Sequence, residues 1–98
     1  MRYRIQYSPD VEDHFSVLTA RQQAIVLERV DEQLIHQPTV ETKNRKPMRP
    51  NPVAPWELRI GVLRVYYDVE EGPRVVLVRA VGIKIRDRVR IGREEIEL

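Results

Sequence analysis

The feature that most constrains the fold is a pattern of strand-like segments and turns in the second half of the chain. Apolar and polar residues alternate over residues 56–60 and again over residues 63–69, with Gly61 between the two segments. Residues 70–73 (Glu-Glu-Gly-Pro) predict a second turn, and residues 74–81 are almost continuously apolar, which is typical of a central strand covered on both faces. The pattern predicts a three-stranded antiparallel meander.

The first half of the chain begins with another strand pattern. Over residues 2–7 the apolar positions Tyr3, Ile5 and Tyr7 alternate with polar ones, which predicts a half-buried strand at the edge of the sheet or beside its centre. Ser8 and Pro9 then predict a helix start, with the serine as cap and the proline at the first helical position. The expected buried stripe of this helix is Val11, Phe15 and Leu18.

A second helix follows almost at once. Thr19 and Gln22 have the spacing of a capping box, and Pro38 ends the helix by about residue 36 or 37. We expect its buried stripe at Ala24, Leu27, Val30 or Asp31, and Leu34, with Ile25 and Ile35 at the margins. Two helices joined by so short a link predict an antiparallel helix hairpin over one face of the sheet.

Two segments have weaker patterns. Residues 37–55 carry five of the seven prolines and predict an extended basic connection, long enough to suggest a functional loop. In the tail after Gly82, residues 89–91 and 95–98 flank Gly92 and predict a short hairpin rather than a helix. Together the patterns predict an α+β fold of the order β-α-α-β-β-β with a short C-terminal hairpin or tail.

The totals limit the class of protein. A chain of 98 residues with 42% hydrophobic and 33% charged residues predicts a single globular domain, residues 1–98, with one modest core. The sequence has no cysteine and no apolar run of membrane-spanning length, so it predicts a cytoplasmic protein that does not enter membranes. We also expect no metal and no cofactor, because neither a metal-ligand cluster nor a glycine-rich phosphate loop is present.

Charge is unevenly distributed along the chain. Among the charged residues, acidic ones predominate in residues 8–37, whereas basic ones predominate in residues 43–49 and 79–93. If the fold brings the two basic stretches together, the domain has a basic face suited to a polyanion, and most simply to RNA. A solvated charged surface without a ligand is the alternative.

Arg64 is the strongest single candidate for a functional residue. It lies in the middle of a predicted strand, opposite the core face, where a guanidinium needs an anionic ligand, a carboxylate or solvent. Tyr66 shares that face and suits stacking on a nucleobase. The alternative is an ion pair between Arg64 and Glu57 or Asp68. His14 and His36 lie on helices without ligand-spaced partners, so we expect no catalytic role for either.

Residues 56–69, Trp-Glu-Leu-Arg-Ile-Gly-Val-Leu-Arg-Val-Tyr-Tyr-Asp-Val, resemble the strand hairpin of the RelE/ParE toxin superfamily. The shared pattern is an aromatic residue, Leu-Arg, a glycine turn and Arg-x-x-Tyr. Residues 78–82 and the following Ile-Lys-Ile-Arg are similar to the family's last strand and its basic exit. The order of the elements agrees over nearly the whole chain.

The resemblance implies a toxin of a type II toxin–antitoxin system that inhibits translation. RelE-like members cut mRNA in the ribosomal A site, where the RNA 2′-hydroxyl attacks the adjacent phosphate and basic side chains stabilise the developing charge. By position in the motif, the implied catalytic residues are Arg64, Lys84 and Arg90, the last standing near where RelE has a tyrosine. The expected RNA-binding residues are Lys43, Arg45, Lys46, Arg49, Arg59, Tyr66 and Arg86. The implied partners are an antitoxin, the ribosome with its mRNA, and DNA through the antitoxin complex.

One departure from the family pattern keeps a second function open. RelE has two lysines shortly before the hairpin arginine, and those positions are Pro55 and Glu57 here. The alternative is a non-nuclease module: a ParE-like gyrase inhibitor, or a degenerate toxin that acts through antitoxin binding and operator corepression.

Overall fold

The computed structural model describes residues 2–98 and has the α+β architecture that the sequence predicts. One strand and two helices are followed by a run of antiparallel strands. The elements are β1 (Arg4–Tyr7), α1 (Asp10–Ser16), α2 (Ala20–Leu34), β2 (Arg45–Pro47), β3 (Trp56–Ile60), β4 (Leu63–Glu70), β5 (Val75–Ile85), β6 (Arg88–Ile91) and β7 (Glu94–Ile96).

The described strands form one seven-stranded sheet: six follow the order β2-β3-β4-β5-β6-β7, and β1 is added beside β5. The predicted meander is its centre, and β5 is the central strand. The first strand, β1, lies beside the centre, because it pairs in parallel with the first part of β5 while β6 pairs with the second part. The short strand β2 was not predicted: it forms within the basic connection and pairs antiparallel with β3.

The two helix starts differ in how they are capped. The predicted capping box of α2 is present, with Thr19 Oγ1 accepting from the Gln22 N–H at 3.1 Å and Gln22 Oε1 accepting from the Thr19 N–H at 3.0 Å. The predicted Ser8 cap is wrong. Pro9 occupies the cap position of α1, and the Ser8 backbone carbonyl, not its hydroxyl, accepts from the Val11 N–H at 3.0 Å. Helix α2 also ends earlier than predicted, at Leu34.

The main core lies between the helices and one face of the sheet. Val11, Phe15 and Leu18 of the first helical segment face it, as predicted. The predicted stripe of α2 is confirmed at Val30 and Leu34. It was wrong at Ala24 and Leu27: Val26 packs instead, and Leu27 stays 43% exposed. Positions four apart align on one helix face, and this face, with Val26, Val30 and Leu34, is the one that joins the core.

The opposite face of the sheet carries a second apolar cluster, whereas the sequence predicted one core and a partly open face. Tyr66 and Ala80 lie at its centre, and Ala54, Val89 and Ile91 cover them. The cover comes from the loop before β3 and from the C-terminal β6–β7 hairpin, which confirms the hairpin prediction for the tail. An apolar face of a sheet must be buried by other parts of the chain. Here the segments that bury it are distant in sequence from the strands they cover.

No helix within residues 2–98 combines the length and the apolar character needed to cross a membrane.

Candidate nucleic-acid interface

A basic cavity of about 780 Å3 opens on the face of the sheet away from the helices. Its floor is formed by β3, β4 and the end of β5, and its walls by the proline-rich loop before β3 and by the chain around β6 and after β7. Five cations line it: Lys46, Arg49, Arg59, Arg64 and Lys84. Two carboxylates also line it, Glu57 and Glu97. The fold therefore brings part of each basic stretch of the sequence to one site.

Strand register explains why these side chains meet. Residues directly opposite each other on paired strands project from the same face. Lys46, Glu57 and Tyr66 are opposite one another across β2, β3 and β4. Arg59 and Arg64 form the next row across β3 and β4. A row of two like charges is unfavourable unless each charge has a partner.

Arg64 and Arg59 meet that requirement in different ways. The Arg64 guanidinium turns back to the β3–β4 turn and donates to the Gly61 carbonyl at 2.6 Å and the Leu63 carbonyl at 2.9 Å. Arg59 Nε instead donates to Glu57 Oε1 at 2.7 Å in a salt bridge. Within residues 2–98, Arg64 makes no salt bridge, so the predicted alternative of an ion pair with Glu57 or Asp68 does not form. Arg64 therefore lines the cavity with its guanidinium bound to neutral carbonyls.

Lys84 reaches the same cavity from β5. Its backbone N–H donates to the Val62 carbonyl at 2.7 Å, which fixes this end of β5 against the β3–β4 turn. Gly82, two residues before, is needed for the close approach of β6, since a Cβ there would lie 2.6 Å from the Arg90 carbonyl oxygen and 2.8 Å from a Val89 methyl. The crossing of β6 brings Val89 into the cavity wall.

The loop that forms the other wall is held by one side chain that the sequence analysis did not single out. Asn51 Nδ2 donates to the Arg49 and Ala54 carbonyls at 2.8 and 2.9 Å. Its Oδ1 accepts from the Val53 and Ala54 N–H groups at 2.8 and 3.1 Å. An asparagine between prolines is the sequence signal of such a loop-stabilising turn. Arg49 thereby takes a defined place on the cavity rim.

Several predicted site residues do not reach the cavity. Arg90 lies opposite Ile83 on the other face of β6 from Val89, because side chains alternate along a strand. Lys43 and Arg86 are exposed but lie outside the cavity lining. Arg90, Lys43 and Arg86 therefore lie elsewhere on the protein than the cavity.

Arg45 and Tyr66 are buried and have structural roles instead. Arg45 is 9% exposed and donates to the Val40 carbonyl at 3.0 Å and the Gln33 carbonyl at 2.7 Å, which ties β2 to the end of α2. Tyr66 is 0% exposed beneath the second apolar cluster, so it cannot stack on a nucleobase in this conformation. Burial, together with the nearby Glu57 carboxylate, raises the pKa of its hydroxyl, which stays protonated.

The residues that bear charge in the cavity are suited to binding an anion. Of the five cations, Lys46 pairs with Glu41 at 3.4 Å and Arg59 with Glu57. Arg49, Arg64 and Lys84 form no salt bridge with any described residue. Residues 2–98 contain no group of three His, Cys, Asp or Glu side chains placed to hold a metal ion. Arginine and lysine on adjacent strands match the geometry and charge of phosphates.

The sequence matches no protein-family model, and it matches no curated protein. One solved structure, the toxin–antitoxin complex RelBE2 from Mycobacterium tuberculosis, contains a chain similar to this one, with a TM-score of 0.74 and 20% sequence identity. The match covers 86% of this chain and 93% of that chain. Identity at that level supports the fold. The chain therefore has the RelE-like α+β fold that its strand-hairpin pattern predicted.

Proposed function

We propose that this protein is the toxin of a type II toxin–antitoxin system and acts in the cytoplasm as a ribosome-dependent mRNA endoribonuclease that inhibits translation. The observation that carries the proposal is a group of cations that line one cavity and form no salt bridge within residues 2–98: Arg49, Arg64 and Lys84. Arg64 is half-buried and Lys84 is exposed, so an RNA phosphate that enters the cavity can reach both and supply the missing negative charge.

The cavity contains the groups that metal-independent transesterification needs for charge stabilisation. The RNA 2′-oxygen attacks the adjacent phosphorus, and negative charge increases on the phosphoryl oxygens and on the departing 5′-oxygen. In this proposal Arg64 and Lys84 bind those oxygens, since cations directed at developing negative charge stabilise the transition state. Arg59, Lys46 and Arg49 on the rim are suited to holding the flanking phosphates.

An antitoxin is the proposed protein partner. The solved neighbour is described as a toxin–antitoxin complex, which supports such a partner for this chain. The antitoxin would bind over the basic cavity with acidic or polar side chains and so neutralise its cations. Contact with operator DNA would then arise through the antitoxin complex, while the ribosome and its mRNA are the targets of the free toxin.

The direct test is to express Arg64→Ala in bacteria and measure growth and mRNA ends on ribosomes. We expect the wild type to arrest growth and produce cuts within A-site codons, and Arg64→Ala to abolish both while remaining folded. Arg29→Ala is the matched control, because Arg29 is an exposed cation on α2, paired with Glu32 on the far face of the molecule. Undiminished cutting by Arg64→Ala would contradict the role proposed for Arg64.

The Glu57–Arg59 salt bridge favours a second candidate function. The salt bridge neutralises Arg59, and Pro55 adds no cation. The number of unpaired cations in the cavity is therefore smaller than the five that line it. A toxin that inhibits gyrase without cutting RNA would need no further cations in the cavity. The same holds for one that acts only through antitoxin binding and corepression. Growth arrest with altered DNA supercoiling and without new mRNA ends would support gyrase as the target. Antitoxin binding without growth arrest would support the degenerate toxin.

A further inference from the structure

We infer that the loop before β3, residues 48–55, guides the RNA strand out of the basic cavity, with Arg49 as its phosphate contact and Asn51 as the residue that positions Arg49. The inference rests on the proposed ribonuclease function and extends it to the nucleotides beside the cut. Asn51 is a positioning residue in this assignment, because it acts on RNA only through Arg49.

Arg49 is the cation that a strand leaving the basic cavity meets next. Once Arg64 and Lys84 hold one phosphate, the neighbouring phosphate needs a further cation that is not already paired. Of the three other cations that line the cavity, two form salt bridges with glutamates, and within residues 2–98 Arg49 forms none. Arg49 is also exposed, so a phosphate reaches it without displacing any part of the protein.

The wall that carries Arg49 is shared with a second cavity, of about 390 Å3. Residues 48–51 line both cavities, and the second one is lined further by residues 53–55 and by Asp68 and Arg79, which pair with each other at 3.5 Å. A strand that crosses Arg49 therefore passes from the basic cavity into the second cavity. The methionine, prolines, valine and alanine of the loop give that cavity an apolar lining suited to an unstacked base.

The loop is held rigidly enough to give Arg49 a fixed place. The side-chain amide of Asn51 satisfies four backbone groups of the loop, one of them the Arg49 carbonyl at 2.8 Å. The Met48 N–H donates to the Pro55 carbonyl at 2.8 Å and closes the loop at its base. Ala54 is 6% exposed and anchors the loop to the second apolar cluster. A preorganised backbone lowers the entropy that is lost when the guanidinium binds a phosphate.

The test titrates toxin against ribosomes programmed with mRNA and measures single-turnover cleavage, which gives a half-saturating toxin concentration and a maximal rate. We expect Arg49→Ala and Asn51→Ala each to raise the half-saturating concentration by about tenfold, the effect of one charge-assisted contact. The maximal rate should stay within about twofold, because a contact beside the cut binds substrate and transition state alike. The double variant should be no weaker than Arg49→Ala, because Asn51 acts through Arg49.

Salt dependence separates positioning from a general structural role. Arg49→Ala should make the dependence of binding on salt less steep by about one phosphate contact, and Asn51→Ala should do the same although Asn51 carries no charge. Asn44→Ala removes the same side chain from an exposed position of the same connection and should change neither the half-saturating concentration nor the slope. Tyr67→Phe, which removes a hydrogen bond to Pro38 far from the loop, controls for lost stability and should also leave both unchanged.

Three results would overturn the inference. One is a wild-type half-saturating concentration and salt slope in Arg49→Ala, whose exposed side chain can be removed without unfolding the domain. Another is an effect of Asn51→Ala that adds in full to that of Arg49→Ala, and the third is an equal shift in Tyr67→Phe. A wild type that makes no cuts on ribosomes would remove the proposed function together with this inference, whereas normal cutting with any of the three results removes the inference alone.

Discussion

At the scale of single residues, the side chain of His14 accepts a backbone hydrogen bond from β5 at a point where no neighbouring strand accepts it. On one edge of β5, β1 pairs as far as Val78 and β6 pairs from Gly82, so the Val81 N–H lies in the gap between them. His14 Nδ1 accepts from that N–H at 3.3 Å. The bond requires the neutral imidazole with its proton on Nε2, because a protonated ring has no acceptor. The hydrogen bond between α1 and the sheet therefore depends on the charge of one side chain.

This dependence predicts a loss of stability in mild acid. Burial lowers the pKa of His14 below its ordinary 6.5, although Asp10 and Asp13 oppose the shift. The folded state therefore binds fewer protons than the unfolded chain, so the stabilisation is complete above about pH 6.5 and is lost progressively as the pH falls from there through the lowered pKa of the folded state. Arg93 and Glu94, which face His14 across a groove, have opposite charges.

Urea unfolding at about pH 7.5 and about pH 5 should show a smaller drop in stability for His14→Gln than for the wild type. His36→Gln is the control, because His36 is exposed after the end of α2. Equal drops in the wild type and His14→Gln would show that the hydrogen bond to Val81 does not sense pH.

Two adjacent tyrosines predict opposite effects of the same substitution. Within residues 2–98 the buried Tyr66 hydroxyl meets no hydrogen-bond partner, whereas the Tyr67 hydroxyl donates to the Pro38 carbonyl at 2.6 Å. Tyr66→Phe should therefore stabilise the fold by about 1 kcal/mol, and Tyr67→Phe should destabilise it by about 1 to 2 kcal/mol, since it leaves a carbonyl unpaired. Thermal unfolding of the two variants measures both. A destabilised Tyr66→Phe would mean that its hydroxyl has a partner in solution.

At the scale of elements, β2 is held in place by a buried arginine. The Arg45 guanidinium donates to the Gln33 and Val40 carbonyls, so it satisfies acceptors at the end of α2 and in the loop that leads to β2. Arg45→Met keeps the aliphatic stem but removes these charge-assisted bonds, and should cost about 2 to 3 kcal/mol in urea unfolding. Lys43→Met, at an exposed position of the same loop, should change stability by less than about 0.5 kcal/mol. Equal effects would contradict the anchoring role.

The sequence predicted the elements better than it predicted which faces are covered. Alternation and turn residues located the meander and the tail hairpin, because these signals are local. Alternation also placed Tyr66 on the face away from the helices, which is correct, but the loop and hairpin that bury it there are distant in sequence. The same limit applies to Arg45, whose acceptor lies 12 residues away in α2. At the site, Arg64 and Lys84 were found from the motif, whereas Glu57 could be placed among them only by register.

At the scale of the whole molecule, the sheet separates two surfaces of opposite charge. The helices cover one face and carry the exposed acids of the first half of the chain, while the cavity on the other face collects five cations. A net charge of only +2 conceals this separation. Such a dipolar distribution orients the domain toward a polyanion with its cavity leading, and keeps the helical face away.

The separation predicts how binding to ribosomes varies with salt. Each cation that contacts a phosphate releases condensed counterions, so the logarithm of the association constant should fall linearly with the logarithm of salt concentration. Lys84→Ala should reduce the steepness of that line by about one phosphate contact, and Arg64→Ala should do the same. Arg29→Ala removes an equal charge from the helical face and should leave the slope unchanged, because its guanidinium already pairs with Glu32 at 3.7 Å. Titrations between about 50 and 200 mM salt measure the slopes. A slope that changes equally in all three variants would mean that net charge, and not the cavity, governs the approach to RNA.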